Sequence, residues 1–149
     1  TMPPHLYDVP LRSCISATVP NLMFAGRNLS ATHLGFASTR VMAACAVIGQ
    51  GVGTAAAEAV ARGLDPADLR AQPDAVRAIQ QRLLRDDCYL IGVTNDDPAD
   101  LAREATVTAS SAQPDGPPEA VLSGQTRAVH VHRTHAAHKR PQLRNLLVA

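Results

Sequence analysis

Residues 40–62 read RVMAACAVIGQGVGTAAAEAVAR, and this stretch decides the architecture. Ala dominates it, no Pro interrupts it, and Ala is the strongest helix former. Gly63 follows directly, as a glycine that closes a helix should. The spacing therefore predicts one helix over residues 40–62. Gly49, Gly53 and Ala57 recur every four residues, with Ala44 and Ala56 expected on the same surface. Small residues at that spacing let another backbone or a ligand come close. Glycine inside a helix costs about 1 kcal/mol relative to Ala, and Gly49, Gly51 and Gly53 are all interior. Tight packing on a sheet, or a ligand, is expected to compensate. Residues 51–56 also satisfy the G-x-G-x-x-A form of a dinucleotide fingerprint. That fingerprint must follow a strand and open a helix, whereas here it lies inside the helical pattern.

Working outward, residues 21–26, Asn-Leu-Met-Phe-Ala-Gly, read as a buried strand that stops at a tight turn. Residues 27–39 are rich in Ser, Thr, Asn and Gly and read as a loop, and residues 1–21, with four prolines, as irregular. On the other side, Asp65-Pro66 is a cap followed by Pro at a first helical position. Residues 74–85 are amphipathic, with Val76, Ile79 and Leu83 on one stripe. Asp97-Pro98 starts a short helix ending near Ala105. Residues 106–110 then alternate with the period of a strand, and residues 120–123, 128–131 and 146–148 read as further short strands. The chain thus divides into residues 1–92 of α/β character, a linker with a short helix at 93–105, and a partial β domain at 106–149.

Composition narrows the function classes. The 149 residues include 26 Ala, no Trp, two Phe and two Tyr, so large core side chains are scarce. The net charge of +1 produces no global field that would attract nucleic acid. Residues 41–57 are weakly charged but small-sided, with Gln50 and Thr54 among them, so no membrane span is expected. Three widely spaced cysteines form neither a disulfide framework nor a metal-binding pair, which points to a reducing, cytoplasmic setting. His130 and His132 would share a strand face and could bind zinc or nickel. With no acid or Cys nearby and with Arg133, Lys139 and Arg140 around them, an exposed polar loop is the better reading and no metal site is assigned. Thr1 precedes Met2 and no apolar leader follows, so the chain is expected to be cut from something longer.

Four segments occur in a fixed order: residues 8–13 (Asp-Val-Pro-Leu-Arg-Ser), residues 21–33 (beginning Asn-Leu-Met-Phe-Ala-Gly-Arg-Asn), residues 38–42 (Ser-Thr-Arg-Val-Met) and residues 49–57 (Gly-Gln-Gly-Val-Gly-Thr-Ala-Ala-Ala). Together with the tail at 79–84 this set resembles the closing part of the FAD-binding domain of FAD-dependent oxidoreductases of the glutathione-reductase-like kind. The resemblance covers about residues 6–92. It implies an α/β fold, the closing part of a Rossmann-like FAD-binding domain, followed by the start of a β-sandwich-like segment. It implies that FAD is the cofactor and that Ala25, Gly26, Arg27 and Asn28 pass beside it. Arg40, Met42, Gly49, Gln50, Gly53 and Thr54 belong to the helix whose N-terminal part faces the flavin ring. A helix N-terminus there would stabilise negative charge on the reduced ring. His33 stands in the loop near the ring, either as a catalytic proton carrier or as a loop residue satisfying backbone groups.

The family's opening strand, GxGxxG turn and helix, which grip the ADP half, have no counterpart in these residues, and neither does its substrate-binding insert. The implied partners are a small-molecule substrate and the remainder of the FAD-binding domain, with neither nucleic acid nor membrane. The expected function is a contribution to hydride or electron transfer between a substrate and FAD, the chain alone being inactive. The alternative is a non-catalytic interaction or metal-binding module built on the β segment and the histidine run.

Overall fold

A computed structural model describes residues 7–112, 117–124 and 146–148. Among the described residues the first element is a short strand, β1 (Asp8–Pro10), which runs into a 3-10 turn at Leu11–Cys14. Four helices follow: α1 (His33–Thr39), α2 (Met42–Arg62), α3 (Pro66–Leu69) and α4 (Pro73–Arg85). Two further 3-10 turns occupy Leu101–Glu104 and Pro118–Leu122. A last strand, β2 (Leu146–Val148), pairs antiparallel with β1, Val9 opposite Leu147.

The long helix forms as its composition predicts. Its C-terminus is closed by Gly63 at φ 64°, a left-handed conformation that glycine adopts without a Cβ clash. The Gly63 N–H donates to the Val60 carbonyl and the Leu64 N–H to the Ala59 carbonyl, at 3.1 and 2.9 Å. Leu64 then folds back onto the core. The residues 51–56 fingerprint lies wholly inside α2, as its position within a helical pattern required. By length and composition α2 would also suffice to cross a membrane; here one face of it packs against α3 and α4.

The core lies between α2 and α4. Ile48, Val52, Ala55 and Ala59 of α2 are buried with Ala75, Ile79, Leu83 and Leu84 of α4, and Leu69 of α3 closes one end. Val9, Leu11, Cys14, Leu29, Cys88 and Leu90 complete the cluster from outside the α-helices. Pro73 starts α4, Asp74 sits in its first turn, and Arg82 and Arg85 sit in its last, each sign matched to the helix dipole. Arg62 bridges Glu58 of its own helix and Asp74 of α4, which staples the two helix ends together.

Several sequence expectations are corrected. Residues 21–26 do not make a strand: only a bridge from Met23 to Ile15 forms, because neither neighbour extends into a ladder. Residues 33–39 are a helix rather than loop, started by Thr32, whose hydroxyl accepts the Gly35 N–H at 3.2 Å. Residues 8–14 carry a strand and a 3-10 turn rather than irregular chain. The helical turn expected after Asp97-Pro98 forms three residues later, where Asp100 caps Ala102. Residues 106–110 are not a strand, and residues 118–122 form a 3-10 turn started by its prolines. The strand at 146–148 is present and joins β1. Residues 128–131 and the histidine run at 130–138 lie outside the described residues.

Candidate functional site

The turn at residues 25–28 is shaped by Gly26, at φ 94°. The Leu29 N–H donates back to the Gly26 carbonyl at 3.3 Å, and Leu29 is buried, which pins the turn to the core. A Cβ on Gly26 would lie 3.8 Å from the Cβ of Cys45, so the turn rests against the first turns of α2. Ala25, Arg27 and Asn28 are exposed around it. Cys45, a small packing residue by its sequence context, is the side chain on which the Gly26 turn rests.

The start of α2 is open. Val41 is its N-cap and offers no side-chain acceptor, so the N–H groups of the first turn have no cap bond. Uncapped N–H groups and the helix dipole favour negative charge at that end. Arg40 ends α1 and stands exposed immediately before it, and Met42 is 90% exposed. By contrast α1 has its own cap in Thr32. His33 is the first residue of α1 and is exposed.

Gly49, Gln50, Gly53 and Thr54 lie further along. At 1.5 Å of rise per residue, Gly49 is about 10 Å and Gly53 about 16 Å from Met42. The structure thus groups Ala25 to Asn28 with the start of α2 and sets the mid-helix residues apart from them. Gln50 donates to the Asp86 carbonyl at 3.1 Å and so ties α2 to the end of α4. Thr54 donates to the Gln50 carbonyl within the helix at 2.9 Å. For Gly49 and Gly53, a Cβ would meet nothing within 4 Å. Packing among the described residues therefore does not account for these glycines. Ala44, expected on the same surface, instead faces the core at 8% exposure. The outward surface of α2 runs through Met42, Ala46, Gly53, Ala57 and Val60, all exposed, with Gly49 half-buried among them.

The cysteines serve packing. Cys14 and Cys88 are buried and all three are free thiols. Burial pushes the Cys14 thiol up to about 11. It also raises the Cys88 thiol, with a smaller push from the Asp87 charge. Both are held in the unreactive protonated form.

Residues 1–83 match the family described as FAD dependent oxidoreductase. The match spans more than half of the chain, and the protein belongs to this family. No curated protein matches the chain, and no solved structure does. The family is FAD dependent, so FAD is the cofactor class to which the site answers. The described residues fit the flavin half of such a cofactor in two respects. A 21-residue helix presents an uncapped N-terminus beside a glycine turn, and the same helix leaves an open glycine surface that no side chain of its own fills. Among the described residues no glycine-rich turn follows a strand to receive a pyrophosphate, since β1 leads into the 3-10 turn at Leu11–Cys14.

Proposed function

We propose that the chain supplies the flavin-facing part of an FAD-binding domain, closing a Rossmann-like unit of the glutathione-reductase-like kind, in an enzyme that moves hydride or electrons between a small-molecule substrate and FAD. One observation carries the proposal: the Gly26 turn rests on the beginning of α2, whose N-terminus has no cap. When bound, FAD supplies the electron-accepting ring. Ala25 to Asn28 would hold its flank, and the Met42 end of α2 would stabilise negative charge there through unpaired N–H groups. Arg40 adds a positive charge at the same end. His33, exposed at the start of α1, would carry a proton at its imidazole or orient the substrate.

The open surface of α2 is the place for the remainder of the FAD-binding domain. Gly49, Gly53 and Ala57 permit a close approach of backbone to backbone there, which explains glycines that nothing among the described residues packs. Two substitutions in the intact flavoenzyme test this reading. Gly49→Leu would fill the open surface and should release FAD; protein that stays yellow with an unchanged flavin spectrum overturns the assignment. His33→Ala should lower turnover by about 10²–10⁴-fold with flavin content intact. Unchanged turnover leaves His33 only its place as the first residue of α1.

A further inference from the structure

Residues 93–104 lie against α4 as a strap, and their charge is opposite to that of the helix. The strap carries Asp96, Asp97, Asp100 and Glu104 against one base, Arg103, while α4 carries Arg77, Arg82 and Arg85 against Asp74. Arg77, Gln81 and Arg85 recur every four residues and so share one face of the helix. All three hold the strap. Arg77 pairs with Asp96 and Arg85 with Asp97. Between them, Gln81 Nε2 donates to the Thr94 carbonyl at 3.0 Å and Gln81 Oε1 accepts the Asp96 N–H at 2.9 Å. Apolar burial contributes little. Val93 packs against the core, but nothing in the turn Leu101–Glu104 is buried and Leu101 is 83% exposed.

The strap in turn holds residues 117–124. The Asn95 N–H donates to the Gly124 carbonyl at 2.9 Å. A Cβ on Gly124 would stand 2.7 Å from the Asn95 carbonyl oxygen, so the two backbones touch and a side chain has no room. Arg103 donates to that same carbonyl, and Asn95 Nδ2 donates to Asp100 at 2.8 Å, which fixes Asn95 in place. No residue of Pro118–Leu122 is buried, so this segment has no apolar anchor of its own.

We propose that residues 93–104 form an ionic latch, a strap whose acidic side chains dock on the arginine face of α4 and thereby hold residues 117–124 against the helical body, and which opens as ionic strength rises. Counter-ions screen exposed ion pairs. The buried contact between α2 and α4 is apolar and has no charge to screen. Each exposed pair shifts an equilibrium by about 1.5- to fivefold, so loss of both should favour the open latch by about two- to twenty-fivefold. Segments held by few buried contacts open without global unfolding. The latch does not depend on the flavin reading, since it uses neither the Gly26 turn nor the open surface of α2.

Amide hydrogen exchange on the full chain, read residue by residue by nuclear magnetic resonance, tests the latch. Between about 0.05 M and about 0.5 M sodium chloride, the Asn95 and Asp96 amides should lose protection by up to about twenty-fivefold, while the interior amides of α2 and α4 keep theirs. Asp96→Asn with Asp97→Asn removes both charges and leaves each side chain an acceptor oxygen. In that double variant the protection should already be lost at low salt, and the response to salt should vanish. Arg77→Gln with Arg85→Gln, made from the helix side, should do the same without touching the strap's own turns. Gly124→Val should free the Asn95 amide and leave residue 96 protected. Protection at Asp96 that does not change with salt, or a salt response that survives in both double variants, overturns the latch. An Asn95 amide still protected in Gly124→Val overturns its hold on residues 117–124.

Discussion

Replacing Gly49 and Gly53 by Ala should make the chain more stable, not less. Both positions are interior to α2, and a Cβ at either would meet nothing within 4 Å. The added methyl therefore creates no clash and buries almost no new surface. What remains is the backbone term: Ala is favoured over Gly in a helix interior by about 0.8–1.0 kcal/mol. Each single variant should gain close to that, and the double variant about 2 kcal/mol, because the two methyls share no partner that would couple them. Urea unfolding followed by circular dichroism measures it. With an m-value of roughly 1–3 kcal/mol/M, the double variant should shift the midpoint upward by about 1 M with m unchanged. Loss of stability in either single variant would refute the reasoning, since it would mean that something in the chain itself approaches the glycine backbone. A gain in chain stability together with a loss of FAD by Gly49→Leu would separate the two demands on this helix.

Leu83 is fully buried between α2 and α4, so Leu83→Ala should cost about 2–5 kcal/mol in the same assay. Leu101→Ala, at a residue 83% exposed, should change stability by less than about 0.5 kcal/mol. The hydrogen bond from Arg62 holds the Asp74 carboxyl below its ordinary value. A carboxylate with a depressed folded pKa contributes stability above its unfolded value and loses it as pH falls through the folded one. Asp74→Asn should therefore flatten the acid limb of a stability profile below about pH 4, and a profile as steep as that of the parent would contradict it. Asp8 works in the opposite sense, because burial raises it despite the N–H of Ile91. Stability should fall as pH rises from about 4 through its raised value, and Asp8→Asn, read by thermal melts at neutral pH, should remove that loss.

The helical half of this fold was legible because its signals are local. Small apolar residues without Pro, closed by Gly63, define α2, and the stripe of Val76, Ile79 and Leu83 defines α4. Strands depend on distant partners, and the local reading found residues 146–148 but missed their partner and misplaced the others. Residues 21–26 have a strand's composition but find only Ile15 opposite Met23, while Asp8–Pro10 pairs with residues well over a hundred positions away. The helix His33–Thr39 was obscured by its Ser, Thr and Gly content, although Thr32 three residues before Gly35 is a usable cap signal. In the site, the Gly26 turn was legible and rests against the first turns of α2, whereas the close approach expected at Gly49 and Gly53 meets nothing within 4 Å among the described residues. The separation of the Gly26 turn from those glycines along the helix and the bond from Gln50 to Asp86 were not legible, because spacing along the chain does not tell which face of a helix its neighbours cover.

The central claim is that the Gly26 turn and the beginning of α2 face the flavin. It is tested most directly by the flavin content of the intact enzyme carrying Gly26→Val, compared with Gly63→Val. Both glycines have positive φ, 94° and 64°, so both substitutions impose backbone strain. They sit at opposite ends of α2, and only at Gly26 would the new side chain press on Cys45. The ratio of visible flavin absorbance to protein should fall sharply for Gly26→Val and stay near stoichiometric for Gly63→Val, with the helical signal preserved in both. Stoichiometric flavin with an unchanged spectrum in Gly26→Val would contradict the account.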